Sequence, residues 1–218
     1  MPFPIVLFVA IPLGAAFLSL LLKVFAPRAA AGLTLAAMVA LLGLALVATF
    51  AGTDGAYFMG GWGVEESAPG ETFVAGIALV LDGLSRLFLL VIAIVSLAVI
   101  VFALKYVEVF TGRPLVYAHN NLIVAGMCGA VLAADLFNLF VFLEVASIAS
   151  YALVAFGTGG REVEAAFKYL LLGAVASSAI LLGIGVVYAS TGVLNMADVG
   201  AAVESGRLSG LLLYFVAA

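Results

Sequence analysis

The chain has 218 residues, of which 67% are hydrophobic and 9% are charged, and its formal net charge is −4. Soluble globular domains are roughly half apolar and about a quarter charged, so this composition predicts a membrane protein. A single cysteine, Cys128, and a single histidine, His119, exclude an internal disulfide and argue against a metal or iron–sulfur site. We therefore expect no metal, no cofactor and no catalytic site in the chain itself. Any chemistry that the chain performs must therefore use carboxylates, lysines, hydroxyl groups and water.

Apolar runs long enough to cross a bilayer, about 20 residues each, recur along the chain. Six complete spans are predicted at 4–25, 30–50, 76–104, 115–134, 137–157 and 164–190, and a seventh begins near 208. The runs are continuous rather than alternating, which favours helices over strands. The predicted fold is all-α, a polytopic transmembrane helix bundle, which we divide into residues 1–112 (helices 1–3) and 113–218 (helices 4–6 and the start of helix 7). The first span lacks the basic start of a signal peptide, so we interpret it as retained.

The loops differ in charge from one side of the bundle to the other. The basic residues on one side are Lys23, Arg28, Lys105, Arg113 and Arg161. The loops on the other side, 51–75 and 191–207, are mainly acidic. The positive-inside rule then predicts a multi-pass protein of the cell (inner) membrane with its N-terminus outside.

Glu144 is the acidic residue predicted to lie deepest in a span. It stands about 10 Å into the fifth span at 1.5 Å per residue, which is close to the midplane of a ~30 Å core. An acidic residue at a helix centre costs about 2.5–3.5 kcal/mol on insertion scales. Ser147 and Tyr151 follow at i+3 and i+7, and we expect this polar stripe to face the bundle interior. Glu144 is interpreted either as a proton- or ion-handling group or as a protonated acid bonded to a neighbouring helix.

Lys168 lies near the cytoplasmic end of the sixth span, with Glu164 one turn earlier as an ordinary i,i+4 partner. It is interpreted either as a proton relay or as an interfacial anchor whose stem reaches the surface. By height, Glu144 and Lys168 are predicted to lie more than about 10 Å apart, given a ~30 Å core. A direct salt bridge between them is therefore not expected.

Four further ionisable residues lie near the predicted ends of spans. Asp82 and Arg86 are spaced i,i+4 and are predicted to form a structural charge pair. His119, at the cytoplasmic edge of the fourth span, is either a proton-entry group or an ordinary interfacial histidine. Asp135 lies on the short turn before the fifth span and is predicted to cap that helix.

Four segments carry a resemblance to a known family. They are GGW at 60–62, IALVLDGLSRLF at 77–88, AADLFNLFVFLEVASIASYALVAF at 133–156 and EAAFKYLLLGAVASSAILLGIGVVYASTGVLNMADV at 164–199. Together they resemble the antiporter-like subunits of Mrp-type cation/proton antiporters (their D subunit), of membrane-bound energy-converting hydrogenases and of respiratory complex I (its L, M and N subunits). The resemblance implies an essential glutamate at Glu144, a lysine of the sixth helix at Lys168, and passage of protons, in some complexes coupled to sodium, without a redox cofactor.

The sequence departs from that family in its length. Family members are about twice as long, and the chain stops at GLLLYFVAA, which resembles the start of the seventh helix before its lysine. We therefore expect the N-terminal half of the antiporter-like fold, completed by another chain of the same complex. The predicted function is translocation of protons, with sodium left open. A structural subunit that carries no ions and a proton-pumping subunit of complex I are the alternatives.

Overall fold

The computed structural model shows a helix bundle with two small antiparallel sheets of two strands each. The structure describes residues 4–26, 29–52, 54–59, 64–68, 71–74, 76–107, 113–157 and 159–206. The helices are α1 (Leu7–Phe25), α2 (Ala29–Ala51), α3 (Gly83–Tyr106), α4 (Arg113–Leu132), α5 (Leu136–Val154), α6 (Gly160–Thr191) and α7 (Met196–Glu204), and a 3₁₀ turn, Ala155–Gly157, extends α5. Within the described ranges, six helices are long and apolar enough to cross a membrane, which confirms the six predicted spans.

The hydrophobic core lies among the first four helices. Its largest fully buried side chains include Phe8 of α1, Met38 and Leu41 of α2, Leu89 of α3 and Leu132 of α4. Helix α5 packs against α4, and α6 packs against α5, so these two helices extend away from the core. Most residues of α6 are exposed, and only Ala166 and Val187 are buried. The helices that carry Glu144 and Lys168 are therefore the least enclosed part of the bundle.

Two of the four strands and the connections beside them join into a network at one end of the bundle. Strand β1 (Gly55–Phe58) pairs with β4 (Ala78–Leu81), and β2 (Val64–Ala68) pairs with β3 (Glu71–Val74), both antiparallel. The turn between α4 and α5 joins β4, because Ala134 N–H donates to the Ala78 carbonyl at 3.1 Å.

The same turn is also bonded to the α6–α7 connection. Leu136 N–H donates to the Leu194 carbonyl at 3.0 Å, and Met196 N–H donates to the Ala134 carbonyl at 2.9 Å. We call this end, formed by residues 54–59, 76–82, 133–135 and 192–206, the hairpin face. The opposite end carries Lys23, Lys105 and Arg161 and is called the basic face.

Two predicted boundaries were wrong. The predicted span 76–104 begins too early, because residues 78–81 form β4 and α3 starts only at Gly83. Residues 191–207, predicted as a loop, contain α7, whose first turn is capped by Asn195 Oδ1 accepting from Ala197 N–H at 3.0 Å. The predicted start of a seventh span, from 208, and the basic residue Arg28 lie outside the described residues.

The predicted charge pair between Asp82 and Arg86 was also wrong. The Asp82 carboxylate accepts from the Ser85 backbone N–H at 2.7 Å and from the Ser85 hydroxyl at 2.6 Å, so it caps α3. These bonds lower the pKa of Asp82 below its usual 3.8, with the hydroxyl bond as the larger cause. Arg86 instead places Nη2 2.8 Å from Oδ1 of Asp54, and its Nε donates to the Asp82 carbonyl at 3.2 Å.

Candidate functional site

Glu144 lies near the middle of α5. It is eight residues from the first residue of α5, about 12 Å from the hairpin-face end at 1.5 Å per residue. The side chain is half-buried, and no residue in the described ranges forms a hydrogen bond or ion pair with its carboxylate. The structure therefore places an ionisable group near the middle of a helix that is long and apolar enough to cross a membrane, with no fixed partner in the described part of the chain.

Glycines bring α4 close to α5 at the height of Glu144. A Cβ added at Gly126 would lie 2.7 Å from the Phe142 carbonyl oxygen and 2.8 Å from the Ala146 nitrogen. A Cβ at Gly129 would overlap the Phe142 ring. Small residues allow this kind of close backbone approach in membrane helices. Because the contact is with backbone atoms, the position of Glu144 relative to α4 is tightly constrained.

Tyr151 fills the space between α5 and α6. Its ring packs edge-on against Tyr169, with centroids 4.7 Å apart and planes at 81°. Its hydroxyl lies over Gly173, where any Cβ would overlap it. Tyr151 is seven residues closer to the basic face than Glu144, about 10 Å along the helix. The hydroxyl therefore lies between the level of Glu144 and the basic face.

The antiparallel arrangement places other polar groups in two layers. The Gly126 contact sets Glu144 level with the middle of α4, so His119, seven residues earlier, is roughly level with Tyr151. On α6, a count of eight residues from Tyr169 toward the hairpin face leads to the half-buried Ser177, at about the height of Glu144. The upper layer, nearer the hairpin face, thus contains Glu144 and Ser177. The lower layer, which contains His119, Tyr151 and Tyr169, lies about 10 Å nearer the basic face.

Lys168 belongs to the lower layer and is exposed. Its ammonium group pairs with Glu164, as the i,i+4 spacing predicted, and both side chains are more than 60% exposed. Its neighbour Tyr169 contacts Tyr151, which separates Lys168 from Glu144 by about two helical turns. Within the described residues no ion pair joins Glu144 to Lys168.

His119 and Ser147 form no hydrogen bond with Glu144 within the described part of the chain. His119 Nδ1 is 2.7 Å from the Leu115 carbonyl oxygen of its own helix, and the ring is half-buried. Ser147 is half-buried on α5, one turn from Glu144. The predicted candidates thus occupy neighbouring levels of α4, α5 and α6 without forming one hydrogen-bonded cluster in the described part of the structure.

A buried polar contact among the first four helices was missed by the sequence reasoning. Asn121 of α4 donates from Nδ2 to Oγ1 of Thr34 in α2 at 2.9 Å, and both residues are fully buried. The Asn121 carbonyl oxygen Oδ1 and the Ser19 hydroxyl are buried without a partner among the described residues. An asparagine inside an apolar span was the available signal, but its partner lies 87 residues away in sequence.

Two aspartates line one cavity at the hairpin face. Asp135 caps α5 as predicted, with Oδ1 accepting from Asn138 N–H at 2.6 Å. Asp135 and Asp198 of α7 line one cavity of about 320 Å³. Burial raises the pKa of the Asp135 carboxyl above its usual 3.8, against the opposing effect of its backbone hydrogen bonds from Asn138 and Phe137. No group of three or more His, Cys, Asp or Glu side chains suited to a metal ion occurs within the described ranges.

Comparisons with known sequence families agree with this architecture. The family described as "NADH:quinone oxidoreductase/Mrp antiporter, TM" matches residues 133–218. The family described as "NADH-Ubiquinone oxidoreductase (complex I), chain 5 N-terminus" matches residues 68–111. The two matches cover more than half of the chain and include both Glu144 and Lys168. A multi-pass helix bundle with these matches is an antiporter-like membrane subunit.

Individual relatives and a solved structure point to the same class. The chain is 40% identical over 199 residues to the N subunit of NADH-quinone oxidoreductase of Desulforudis audaxviator, covering 88% of this chain and 38% of that protein. It is 34% identical over 154 residues to the D subunit of the Na(+)/H(+) antiporter of Bacillus subtilis, covering 71% of this chain and 29% of that protein. A chain of the membrane-bound sulfane sulfur reductase, an archaeal respiratory membrane complex, superimposes with a TM-score of 0.84 at 30% identity, covering 97% of this chain and 42% of that one.

The chain therefore belongs to the antiporter-like subunit family found in Mrp antiporters and complex I-type membrane complexes, as the sequence resemblance predicted. It spans less than half the length of the relatives it matches.

Proposed function

We propose that the chain is a proton-translocating subunit of a multi-subunit membrane complex, with Glu144 as its central proton-handling group. One observation carries the proposal: Glu144 lies deep in a membrane-spanning helix and has no fixed partner in the described part of the chain. Buried carboxyl groups in general exchange protons in response to their surroundings, because burial and an approaching cation act on them in opposite directions. Intramembrane carboxyl groups of this kind are typical of proton relays.

The proposed route enters from the basic face. His119, Lys168 and Tyr151 lie at about one level on three neighbouring helices, and the Tyr151 hydroxyl lies between this level and Glu144. Tyrosine hydroxyls both donate and accept hydrogen bonds, so Tyr151 and Ser147 are suited to ordering water along this step. Since the layers are about 10 Å apart, water must connect them.

The proposed orientation places the basic face in the cytoplasm and the N-terminus outside. Lys23, Lys105 and Arg161 lie together at one end of the bundle. At the hairpin face Arg86 is already paired with Asp54, so it adds little net positive charge there. This asymmetry agrees with the positive-inside rule for a cell-membrane protein.

The complex is proposed to supply the remainder of the antiporter-like fold as additional polypeptide. The exposed length of α6 is the surface available to it, since only two of its described residues are buried. Sodium movement is measured together with proton movement in the transport test that follows, because one relative is named a Na(+)/H(+) antiporter subunit.

The test is transport by the purified complex in liposomes, followed by a pH-sensitive dye and by ²²Na⁺ flux. Glu144→Gln keeps the size of the side chain and removes the titrating proton, so proton movement is expected to stop while assembly is retained. Glu204→Gln, at the exposed end of α7, is the matched control and is expected to transport normally. Full transport by an assembled Glu144→Gln complex would refute the proposal.

The second candidate is a structural subunit that carries no ions. It is favoured by the absence of any basic partner for Glu144 among the described residues and by the exposure of Lys168. On this alternative, Glu144→Gln leaves transport intact while deletion of the subunit prevents assembly.

Mass spectrometry of the gently solubilised complex identifies the co-purifying chains and thereby separates a complex I-type pump from an Mrp-type antiporter.

A further inference from the structure

One line of residues on α6 faces α5. Ala166 is buried, and in the stretch 167–182 only Gly173 and Ser177 are half-buried, while the others are exposed. At 3.6 residues per turn, these three residues lie within an arc of about 40° on the helix surface. Gly173 meets the Tyr151 hydroxyl of α5. Ser177, one turn further along the same line, is therefore directed toward α5 as well.

Glu144 lies on the face of α5 that meets this line. It precedes Tyr151 by seven residues, which is about 20° short of two full turns at 3.6 residues per turn. The side chains of Glu144 and Tyr151 therefore leave α5 in nearly the same direction. Because Tyr151 contacts Gly173 and Tyr169 of α6, Glu144 is also on the α6 side of its helix.

Ser177 lies above the Tyr151 hydroxyl and close to the level of Glu144. The hydroxyl is next to Gly173, and Ser177 is four residues nearer the hairpin face, about 6 Å at 1.5 Å per residue. Glu144 is seven residues from Tyr151 in the same direction, about 10 Å along α5. The serine side chain therefore lies beside the part of the α5–α6 interface that separates the Tyr151 hydroxyl from Glu144.

The Ser177 hydroxyl is only weakly held by its own helix. Its Oγ is 3.3 Å from the Ala174 carbonyl oxygen, whereas Oγ of the neighbouring Ser178 is 2.7 Å from the same oxygen. Hydrogen bonds from hydroxyl groups to oxygen usually measure about 2.5–3.0 Å, so Ser178 makes the stronger bond. The Ser177 hydroxyl thus remains available to donate and to accept other hydrogen bonds.

We propose that Ser177 binds the water molecule that connects the Tyr151 hydroxyl to the Glu144 carboxyl group. Neither the tyrosine hydroxyl nor the carboxyl group forms a hydrogen bond with another group in the described part of the chain, so both are available to this water. A bridging water makes hydrogen bonds nearly as favourable as direct ones. The role of Ser177 rests on the proposed function of Glu144.

The proton step through this water is balanced. The water donates one hydrogen to the Glu144 carboxylate and the other to Ser177 Oγ, and it accepts the hydrogen of the Tyr151 hydroxyl. When the water passes a proton to Glu144 it receives the Tyr151 proton, and the tyrosine takes a replacement from water on the basic-face side. Ser177 gains and loses no proton, so it acts as a positioning residue that fixes where the water lies.

The experiment compares proton transport by purified complexes in liposomes, followed with a pH-sensitive dye. Ser177→Ala is expected to slow transport about tenfold, the effect of losing one hydrogen bond in the transferring step. Ser178→Ala is the matched control, because this adjacent serine is exposed and lies about 100° further around α6. It is expected to transport at the wild-type rate. Wild-type transport by Ser177→Ala, or equal slowing by both serine variants, would overturn the proposal.

A second pair of variants separates the hydroxyl group from the shape of the side chain. Ser177→Thr keeps a hydroxyl group, and Ser177→Val has nearly the shape of threonine without it. The threonine variant is expected to retain most of the transport, and the valine variant is expected to be as slow as Ser177→Ala. A purely structural role of Ser177 treats threonine and valine alike, so equal rates in these two variants would contradict the assigned water.

An infrared measurement tests the water without relying on transport. The C=O stretch of protonated Glu144 is identified in spectra recorded across a pH change by its absence in Glu144→Gln. Loss of a hydrogen bond to this group is expected to move the band to higher wavenumber in Ser177→Ala and not in Ser178→Ala. An unmoved band in Ser177→Ala would overturn the placement of the water.

The two proposals fail in different ways. Full transport by an assembled Glu144→Gln complex would refute the proposed function and, with it, the role of Ser177. Loss of transport in Glu144→Gln together with wild-type transport in Ser177→Ala would refute only the role of Ser177.

Discussion

The Tyr151 hydroxyl lies directly over Gly173, at a point where no other residue has room for a side chain. The contact holds α5 against α6 at the level of Tyr151. Tyr151 also packs edge-on against Tyr169, so the tyrosine is fixed on two sides by α6. The position of a predicted polar residue is thus determined by a glycine on the neighbouring helix.

Gly173→Ala is expected to destabilise the packing of α5 on α6 by about 1–3 kcal/mol, the usual cost of overpacking. The added methyl group overlaps the Tyr151 hydroxyl, so the double variant Gly173→Ala with Tyr151→Phe is expected to recover part of the loss. The recovery measures the coupling between the two positions. The readout is the thermal unfolding midpoint of the purified complex.

The control for that prediction is Gly185→Ala on the same helix. No atom lies within 4 Å of a Cβ added there. Alanine is favoured over glycine inside a helix by about 0.5–1 kcal/mol, so this variant is expected to be neutral or slightly stabilising. Equal destabilisation by the two alanine variants would contradict the assigned contact.

Asp82→Ala is expected to destabilise the start of α3 by about 0.5–2 kcal/mol, because it removes a helix cap. Asp54→Asn removes only an exposed partner of Arg86, whose contribution is about 0–1 kcal/mol. Unfolding of both variants in denaturant, at low and high salt, is the measurement. A larger loss of stability in Asp54→Asn than in Asp82→Ala would show that the ion pair, rather than the helix cap, stabilises the start of α3.

The pH dependence of the Asp82 cap follows from its lowered pKa. Its usual value is 3.8, and the bonds from Ser85 keep the folded value below it. The ionised form therefore contributes its full stabilisation above pH 3.8, and the contribution is lost as the pH falls through the lower, folded pKa. The difference in stability between wild type and Asp82→Ala is expected to shrink only in that acidic range.

The spans and the depth of Glu144 were predictable because they depend on local properties. The length of an apolar run indicates a membrane span, and the number of residues from the end of the helix gives the position of a residue along it, at 1.5 Å per residue. The Asp135 cap and the pair of Glu164 with Lys168 were likewise predicted from neighbouring residues. These interactions require only the helix that contains them.

The remaining features depend on contacts between distant residues. The run at 77–81 is apolar and continuous with α3, so periodicity did not distinguish strand β4 from the start of the helix. Its partner strand β1 lies more than 20 residues earlier. Arg86 pairs with Asp54 across 32 residues, and Asp135 and Asp198 line one cavity because the α4–α5 turn bonds to the α6–α7 connection. No sequence pattern within one segment contains this information.

Lys168→Gln is expected to slow proton transport without abolishing it. Its side chain is exposed and pairs with Glu164 at the helix surface, where such pairs contribute about 0–1 kcal/mol, so stability should change little. Because the residue is accessible, water is expected to replace it in part as a relay. Glu144, deep in α5, has no such replacement.

The same transport assay checks this prediction, with Lys105→Gln as the control. Lys105 lies in the last turn of α3 on the same face and is also exposed, so its loss removes an equal charge away from the α5–α6 pair. Normal rates for both lysine variants would assign Lys168 to anchoring at the membrane interface. Complete loss of transport in Lys168→Gln, equal to that of Glu144→Gln, would show that water does not replace the lysine and that the relay requires its ammonium group.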